Sequence, residues 1–169
     1  MPELPEVETI VRGLRHHLIG FTVNSIDLQR KDLRFPIPKS LKKSLNGKKI
    51  TNILRRGKYI IINNEAKQTV LLHLGMSGRI KIRPIDSKKV KHDHIIIKLN
   101  SRQEIVYNDS RRFGMIDYIN SADFNNHKWI KSLGPEPLDK VFSSNYIADS
   151  LSTIKSPIKN VLLNQTHCF

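Results

Sequence analysis

The spacing of apolar positions changes character along the chain. Over residues 4–18, Leu4, Val7, Val11, Leu14 and Leu18 recur at intervals of three and four. That spacing lays one apolar stripe along an amphipathic helix. Pro5 suits the first turn, Glu6 and Glu8 sit at the front, and Arg12, Arg15, His16 and His17 lie toward the back. This charge order complements the helix dipole. Gly20 is the predicted stop. Gly13, inside the helix, costs about 1 kcal/mol relative to alanine, and is expected to mark either close packing or a tolerated cost.

From Phe21 to Ile119 the rhythm shortens to strands, predicted at 21–28, 49–54, 58–63, 69–74, 79–83, 94–99, 103–107 and 115–119. Turn residues punctuate them: Asn46-Gly47, Asn63-Asn64, residues 75–78, Asn100-Ser101 and residues 109–114. Many short strands at this spacing predict an antiparallel β-sandwich. A short helix capped by Ser121 is predicted over 121–131. A rigid Gly-Pro-Glu-Pro linker follows at 133–138, then a helix capped by Ser144 and running to Leu151. Ser156-Pro157 opens a last helix from Ile158 to Asn164. The expected organisation is a domain over 1–132, a linker over 133–143 and a helical segment over 144–169. The fold class is therefore mainly β with α.

Lys and Arg number 29 against 15 Asp and Glu, giving a net charge of +14 at pH 7 and a pI near 10.1. That balance favours a polyanionic partner, nucleic acid ahead of a membrane surface. The chain is also rich in Lys, Ile and Asn together, as an AT-rich genome would make it. The longest apolar runs, residues 59–62 and 70–72, fall far short of the roughly 20 residues that span a bilayer. The N-terminus is acidic rather than basic-then-apolar, so no secretory signal is read. One cysteine, Cys168, gives no disulfide framework and fits a reducing compartment, with a cytoplasmic, nucleoid-associated location and a monomer expected.

The stretch with the most chemistry is the first, Met1-Pro2-Glu3-Leu4-Pro5-Glu6. A proline at position 2 is small enough for Met1 to be trimmed, which leaves a secondary amine as terminus. An α-amino group titrates near ~8 and a lysine near ~10.4, so such a terminus is a usable neutral nucleophile for an aldehyde-like carbon. Glu3 is then placed to handle protons. The bland alternative is that acids in a first turn simply complement the dipole. His92-Asp93-His94 places two imidazoles on one face of a strand, but no third ligand completes a metal site.

Several motifs stand in order. MPELPEVETIVRGL opens the chain. Arg56-Gly57-Lys58-Tyr59, His73-Leu74-Gly75-Met76-Ser77-Gly78 and Lys91-His92-Asp93-His94 follow. Asp109-Ser110-Arg111-Arg112-Phe113-Gly114 and Leu133-Gly134-Pro135-Glu136-Pro137-Leu138 complete the set. This set resembles the formamidopyrimidine-DNA glycosylase family over residues 1 to 163. The resemblance implies an N-terminal helix packed on a two-layer antiparallel β-sandwich, leading into a helix–two-turns–helix domain. It implies a bifunctional glycosylase and abasic-site lyase for oxidised purines in double-stranded DNA, including 8-oxoguanine and formamidopyrimidines. Pro2 would be the nucleophile, Glu3 the proton donor to the opening sugar, Lys58 a phosphate contact and proton donor, and Glu6 a supporting carboxylate. Met76, Arg111 and Phe113 would fill the stack vacated by an extruded base. Such filling offsets the cost of extrusion. His73, His92, Arg111 and Arg112 would contact DNA, with Lys155 and Lys159 weaker phosphate-contact candidates.

After residues 159–165 the sequence departs from the family, which continues into a Gly-Asn-Ile-Tyr stretch and a four-cysteine zinc finger. This chain reads Thr166-His167-Cys168-Phe169. A truncated helical domain is expected, with no zinc finger and no cofactor in this chain. Loss of phosphate contacts lowers affinity steeply at physiological salt. Two further readings therefore stay open beside the repair enzyme: a DNA-binding module or degraded gene product without turnover, and a single-domain RNA-binding protein.

Overall fold

The computed structural model describes residues 2–167. Met1, Cys168 and Phe169 lie outside the described residues, and with them the expected trimming of Met1. By compactness the chain divides into two units, Met1–Ala122 and Asp123–Phe169.

In the first unit the predicted helix forms as α1, Leu4–Leu18, with Val7, Val11, Leu14 and Leu18 buried. Leu4, at the mouth of the stripe, is half-buried. The helix ends because Gly20 takes a left-handed φ of 85°, a conformation glycine adopts without a Cβ penalty. The Gly20 N–H donates to Ile50 O at 2.9 Å, which hooks the exit of the helix onto the sandwich. A Cβ on Gly13 would meet no atom within 4 Å, so Gly13 is a tolerated cost and not a close-packing site.

All eight predicted strands form, with ends displaced by one or two residues. They are β1 (Val23–Leu28), β2 (Ile50–Arg56), β3 (Tyr59–Asn64), β4 (Gln68–His73), β5 (Arg79–Pro84), β6 (Asp93–Leu99), β7 (Gln103–Asn108) and β8 (Met115–Asn120). They make two four-stranded sheets, in the orders β1-β6-β7-β5 and β2-β3-β4-β8. The pairings are antiparallel. Alternate residues of the two sheets meet in one core: Ile26, Ile95, Ile105 and Tyr107 from the first, Ile53, Ile60, Ile62, Val70, Leu72 and Ile116 from the second. The α1 stripe joins the same core, packing on β2 and β3.

One helix of this unit was not predicted. α2, Leu41–Leu45, buries Leu41 and Leu45 one turn apart. Five residues carry too short a period to stand out from the surrounding lysines.

The second unit departs more from expectation. The helix expected over 121–131 is a 3-10 turn at Ser121–Asn126 with no buried residue, since its polar sequence has no apolar stripe to bury. α3 spans Ser144–Leu151, but its cap is Ser143, whose hydroxyl accepts from the Tyr146 N–H, one residue ahead of expectation. α4 is shorter than expected, Ile158–Leu162, with Pro157 and not Ser156 at its N-cap position. Asn164 turns its side-chain oxygen onto the Thr166 N–H at 3.1 Å, closing the chain into a turn where the helix was expected to run on. Within this unit the Gly134 N–H donates to Gln165 O at 2.8 Å. Among the described residues no helix is long and apolar enough to cross a membrane.

Two neighbours on α1 are expected to respond in opposite directions. Leu14→Ala should cost about 2–5 kcal/mol as a buried truncation. Gly13→Ala should stabilise by roughly 0.5–1 kcal/mol. Urea denaturation followed by circular dichroism reads both, and equal effects of the same sign would contradict this packing.

Candidate active site

α1 carries the first cluster on its open end. Glu3 is the N-cap residue in an extended conformation. Its N–H donates to the Glu6 carboxylate at 3.0 Å, so Glu6 caps the helix. The Glu3 carboxylate meets Lys58 Nζ at 2.5 Å. Lys58 sits in the β2–β3 turn after Gly57, whose φ of 58° makes the tight reversal possible. Pro2 and Glu6, together with Ile10, Met76, Ser77, Gly78, Arg79 and Ile80, line an open groove of about 590 Å³. The groove thus brings the first residues of the helix to the 75–78 turn, 70 residues away in sequence.

A second tie lies one to two turns further along the helix. Glu8 Oε1 accepts from Arg12 Nε and Glu8 Oε2 from Arg55 Nε, both at 3.0 Å. Arg55 Nη1 then donates to Gly57 O at 3.0 Å. Burial opposes ionisation of Glu8, but the hydrogen bonds and charges of Arg12 and Arg55 outweigh it and hold the carboxyl below its ordinary value. Glu8, Arg55 and Gly57 therefore brace the turn that presents Lys58. The Glu8–Arg12 spacing is legible in the sequence as an i,i+4 pair. Arg55 is not, because its partner is 47 residues distant.

The exposed side chains Met76 and Phe113 stand on two turns that interlock. Gly75, with a φ of 64°, packs where a Cβ would strike the Phe113 backbone, and Gly114 packs where a Cβ would strike the Tyr107 hydroxyl. The Arg111 guanidinium lies 4.8 Å over the Phe113 ring, within cation–π range. Arg112 is exposed, with a left-handed φ of 61° that is uncommon for a side-chain-bearing residue. Both turns converge on Asp109, which is fully buried. Asp109 Oδ1 accepts from the Ser77 hydroxyl at 2.5 Å and from Arg111 N–H at 3.2 Å. Asp109 Oδ2 accepts from the Tyr107 hydroxyl and from Gly114 N–H, each at 2.9 Å. Burial pushes this carboxyl up, and hydrogen bonds from Ser77, the Gly114 N–H, Tyr107 and the Arg112 N–H more than reverse it, leaving it below the ordinary range.

Met76 also borders a second recess of about 380 Å³, shared with Arg34, His73, Gly75 and Phe113. His73 Nδ1 accepts the Gly75 N–H at 3.0 Å, so the neutral ring carries its proton on Nε2. The His73 and Tyr59 rings lie 4.9 Å apart. Burial, then the charges of Lys58 and Arg34, push His73 down from 6.5 to about 4. His73 is therefore a neutral N–H donor at physiological pH.

His92 does not lie in a strand, which corrects the expected shared face with His94. It precedes β6 with a left-handed φ of 71°, and its ring stands 6.2 Å from that of His94. Its carbonyl accepts the Asp109 N–H at 3.1 Å. The next residue, buried Asp93, pairs with Arg83 at 3.0 Å and accepts from Asn108 at 2.8 Å. Lys155 is exposed between α3 and α4 in the second unit. Among the described residues no three His, Cys, Asp or Glu side chains cluster as metal ligands. A four-cysteine zinc centre needs four thiolates, so the single cysteine of this chain does not fit one.

The fold and the cluster together define a helix-fronted β-sandwich. Pro2 and Glu6 line a groove rimmed by exposed Met76, and Glu3, next to Pro2 in the chain, pairs with Lys58. Comparison with known proteins gives the same architecture a family. The profile of the formamidopyrimidine-DNA glycosylase N-terminal domain matches residues 1–116, and the chain belongs to the formamidopyrimidine-DNA glycosylase family. It is 42% identical over 165 residues to the formamidopyrimidine-DNA glycosylase of Xanthomonas oryzae pv. oryzae, covering 98% of this chain and 60% of that protein. It is 38% identical to that of Dinoroseobacter shibae, covering 98% of this chain and 61% of the relative. Among solved structures, Lactococcus lactis formamidopyrimidine-DNA glycosylase bound non-covalently to abasic-site DNA superposes with a TM-score of 0.91 at 33% identity. The match covers 99% of this chain and 64% of that one. A complex of the related protein with DNA containing carbocyclic 8-oxoguanine gives 0.90 at 33% identity. The chain thus spans about 60% of the length of the curated relatives it matches.

The His73 geometry sets an expected pH response. Its folded value of about 4 lies below the ordinary 6.5, so between these values the unfolded chain binds a proton that the folded chain does not. Stability should decline as pH falls from 6.5 to about 4 on this account, and His73→Gln should flatten that part of the curve. An imidazole NMR titration of His73 with its midpoint near 6.5 would contradict it.

Proposed function

We propose that this chain carries out the covalent chemistry of base-excision repair on oxidised purines in double-stranded DNA. The observation that carries the reading is the groove shared by Pro2, Glu6 and Met76, flanked by the Glu3–Lys58 pair. It joins a nucleophile, proton-handling groups and an apolar probe.

With Met1 removed, the Pro2 nitrogen attacks C1′ of the damaged nucleotide. The C1′–N glycosidic bond breaks and the base leaves with the electron pair, taking up a proton as the Pro2 nitrogen gives up its own. The nitrogen lone pair then opens the C1′–O4′ bond, giving an iminium, while O4′ receives its proton from Glu3. The iminium acidifies the C2′–H bond. Loss of that proton expels the 3′ phosphate, and a second elimination expels the 5′ phosphate. Lys58, held against Glu3, serves the phosphate beside the sugar and shares the proton transfers. On this reading His73, neutral with its proton on Nε2, donates that N–H to a backbone phosphate without needing a positive charge. Arg112, His92 and Lys155 are further DNA contacts under this reading. Arg111, Met76 and Phe113 occupy the stack left by the extruded base, which costs a few kcal/mol to vacate.

Borohydride trapping of the 169-residue chain tests the reading on two duplexes, one with 8-oxoguanine opposite cytosine and one with an abasic site. A covalent adduct on both is expected. An adduct on the abasic duplex alone would leave a lyase that does not extrude the base. No adduct on either, from a folded and Met1-processed sample, would leave a DNA-binding module without turnover. Pro2→Gly should abolish trapping, and undiminished strand cleavage by that variant would overturn the role of Pro2. Glu3→Gln should slow the chemical step by about 100-fold or more, as loss of a positioned proton donor does.

A further inference from the structure

Three acidic side chains are buried in the sandwich: Asp93, Glu104 and Asp109. Asp93 and Glu104 share Arg83. Asp109 is different, because the groups bonded to its carboxylate are neutral: the Ser77 and Tyr107 hydroxyls and the N–H groups of Arg111 and Gly114. A buried carboxylate without a cation is tolerable only while its donors stay in place. These donors come from both exposed turns. Ser77 follows Met76 directly, and Arg111 and Gly114 bracket Phe113. Ser77 is a double link, because its oxygen also accepts from the Arg111 N–H at 3.1 Å while its hydroxyl donates to Asp109. Gly75 packing on the Phe113 backbone closes the same joint sterically.

We propose that Asp109 is a positioning residue that locks the Met76 turn to the Arg111–Phe113 turn, so that the three side chains enter a duplex as one preassembled wedge. The role rests on the repair reading above, but the lock itself is a property of the free chain. Holding the wedge in its inserted shape removes the ordering cost that two independent loops would meet on insertion. The damaged base, still stacked in its duplex, is the substrate that needs this. An abasic site has no base to expel, so its reaction with Pro2 depends on the wedge far less.

Two measurements decide the matter. In the free chain, amide hydrogen exchange reads the lock directly. Ser77→Ala changes one turn, and the Arg111 and Gly114 amides of the other should exchange at least tenfold faster, while β3 and β4 amides keep their protection. Unchanged exchange at Arg111 and Gly114 would overturn the lock whether or not the chain turns over. In the second measurement, Asp109→Asn and Ser77→Ala are compared with the parent by single-turnover trapping at saturating protein. The 8-oxoguanine duplex should slow at least tenfold relative to the abasic duplex. Equal slowing on both duplexes, from variants with parental circular dichroism, would reduce Asp109 to a general structural role and overturn the proposal. Failure of the parent chain to trap either duplex would sink the repair reading, with the exchange result still deciding the lock.

Discussion

The seating of α1 on the sandwich is the constraint on which the rest depends. Four buried side chains, Val7, Val11, Leu14 and Leu18, each contribute about 1.5–3 kcal/mol on burial. The polar ties from the same helix contribute much less to stability: a surface ion pair is worth about 0–1 kcal/mol, and in the Glu3–Lys58 pair the Glu3 side stays open to water. The ties matter for placement instead. Glu3 reaches Lys58, Glu8 reaches Arg55, and Arg15 Nε donates to Ile53 O at 2.8 Å. All three partners belong to β2 or the turn that follows it. Hydrophobic burial thus fixes the helix, and the polar ties tether it to β2 and the turn that follows. Arg15 also covers a carbonyl on β2, an edge strand of its sheet, where an open hydrogen-bonding group would otherwise invite pairing with another chain.

A second constraint is the polar interior under the exposed turns. The sandwich buries carboxylates at Asp93, Glu104 and Asp109, and each braces a loop. Asp93 accepts the Val90 N–H at 3.0 Å and Glu104 the Asp86 N–H at 3.2 Å, which holds the segment leading to His92. Asp109 holds the two turns that carry Met76 and Phe113. Left-handed backbone at His92 and Arg112 costs energy for residues bearing a Cβ. Both lie within three residues of these anchors, and such strain persists only where the surroundings over-determine it.

The sandwich was legible because its signal is period-two alternation broken by turn residues, and α1 because its stripe is long and unbroken. Family motifs pointed to the candidate site residues, and the fold brings some of them together: Pro2 and Met76 line one groove, and Lys58 reaches Glu3. What the sequence hid was pairing across distance. Nothing local ties Arg55 to Glu8 or Ser77 to Asp109, since those partners meet only when helix, turn and sheet are assembled. The motif marks His73, but its neutral state is not written there; it follows from burial and from the charges of Lys58 and Arg34. The second unit is the least legible in the sequence. Its elements are short and mostly exposed, so one residue of cap chemistry at Ser143, or one turn at Asn164, decides a boundary that no hydrophobic period marks.

The proposed function requires a covalent bond to DNA at one particular atom. Mass spectrometry of the protease-digested, borohydride-reduced adduct answers that directly, because fragment ions locate the sugar remnant. The remnant is expected on the nitrogen of Pro2, in a peptide that has lost Met1. A remnant on Lys58 or any other lysine would contradict the account, since the groove at the head of α1 would then not be the place where the chemistry begins.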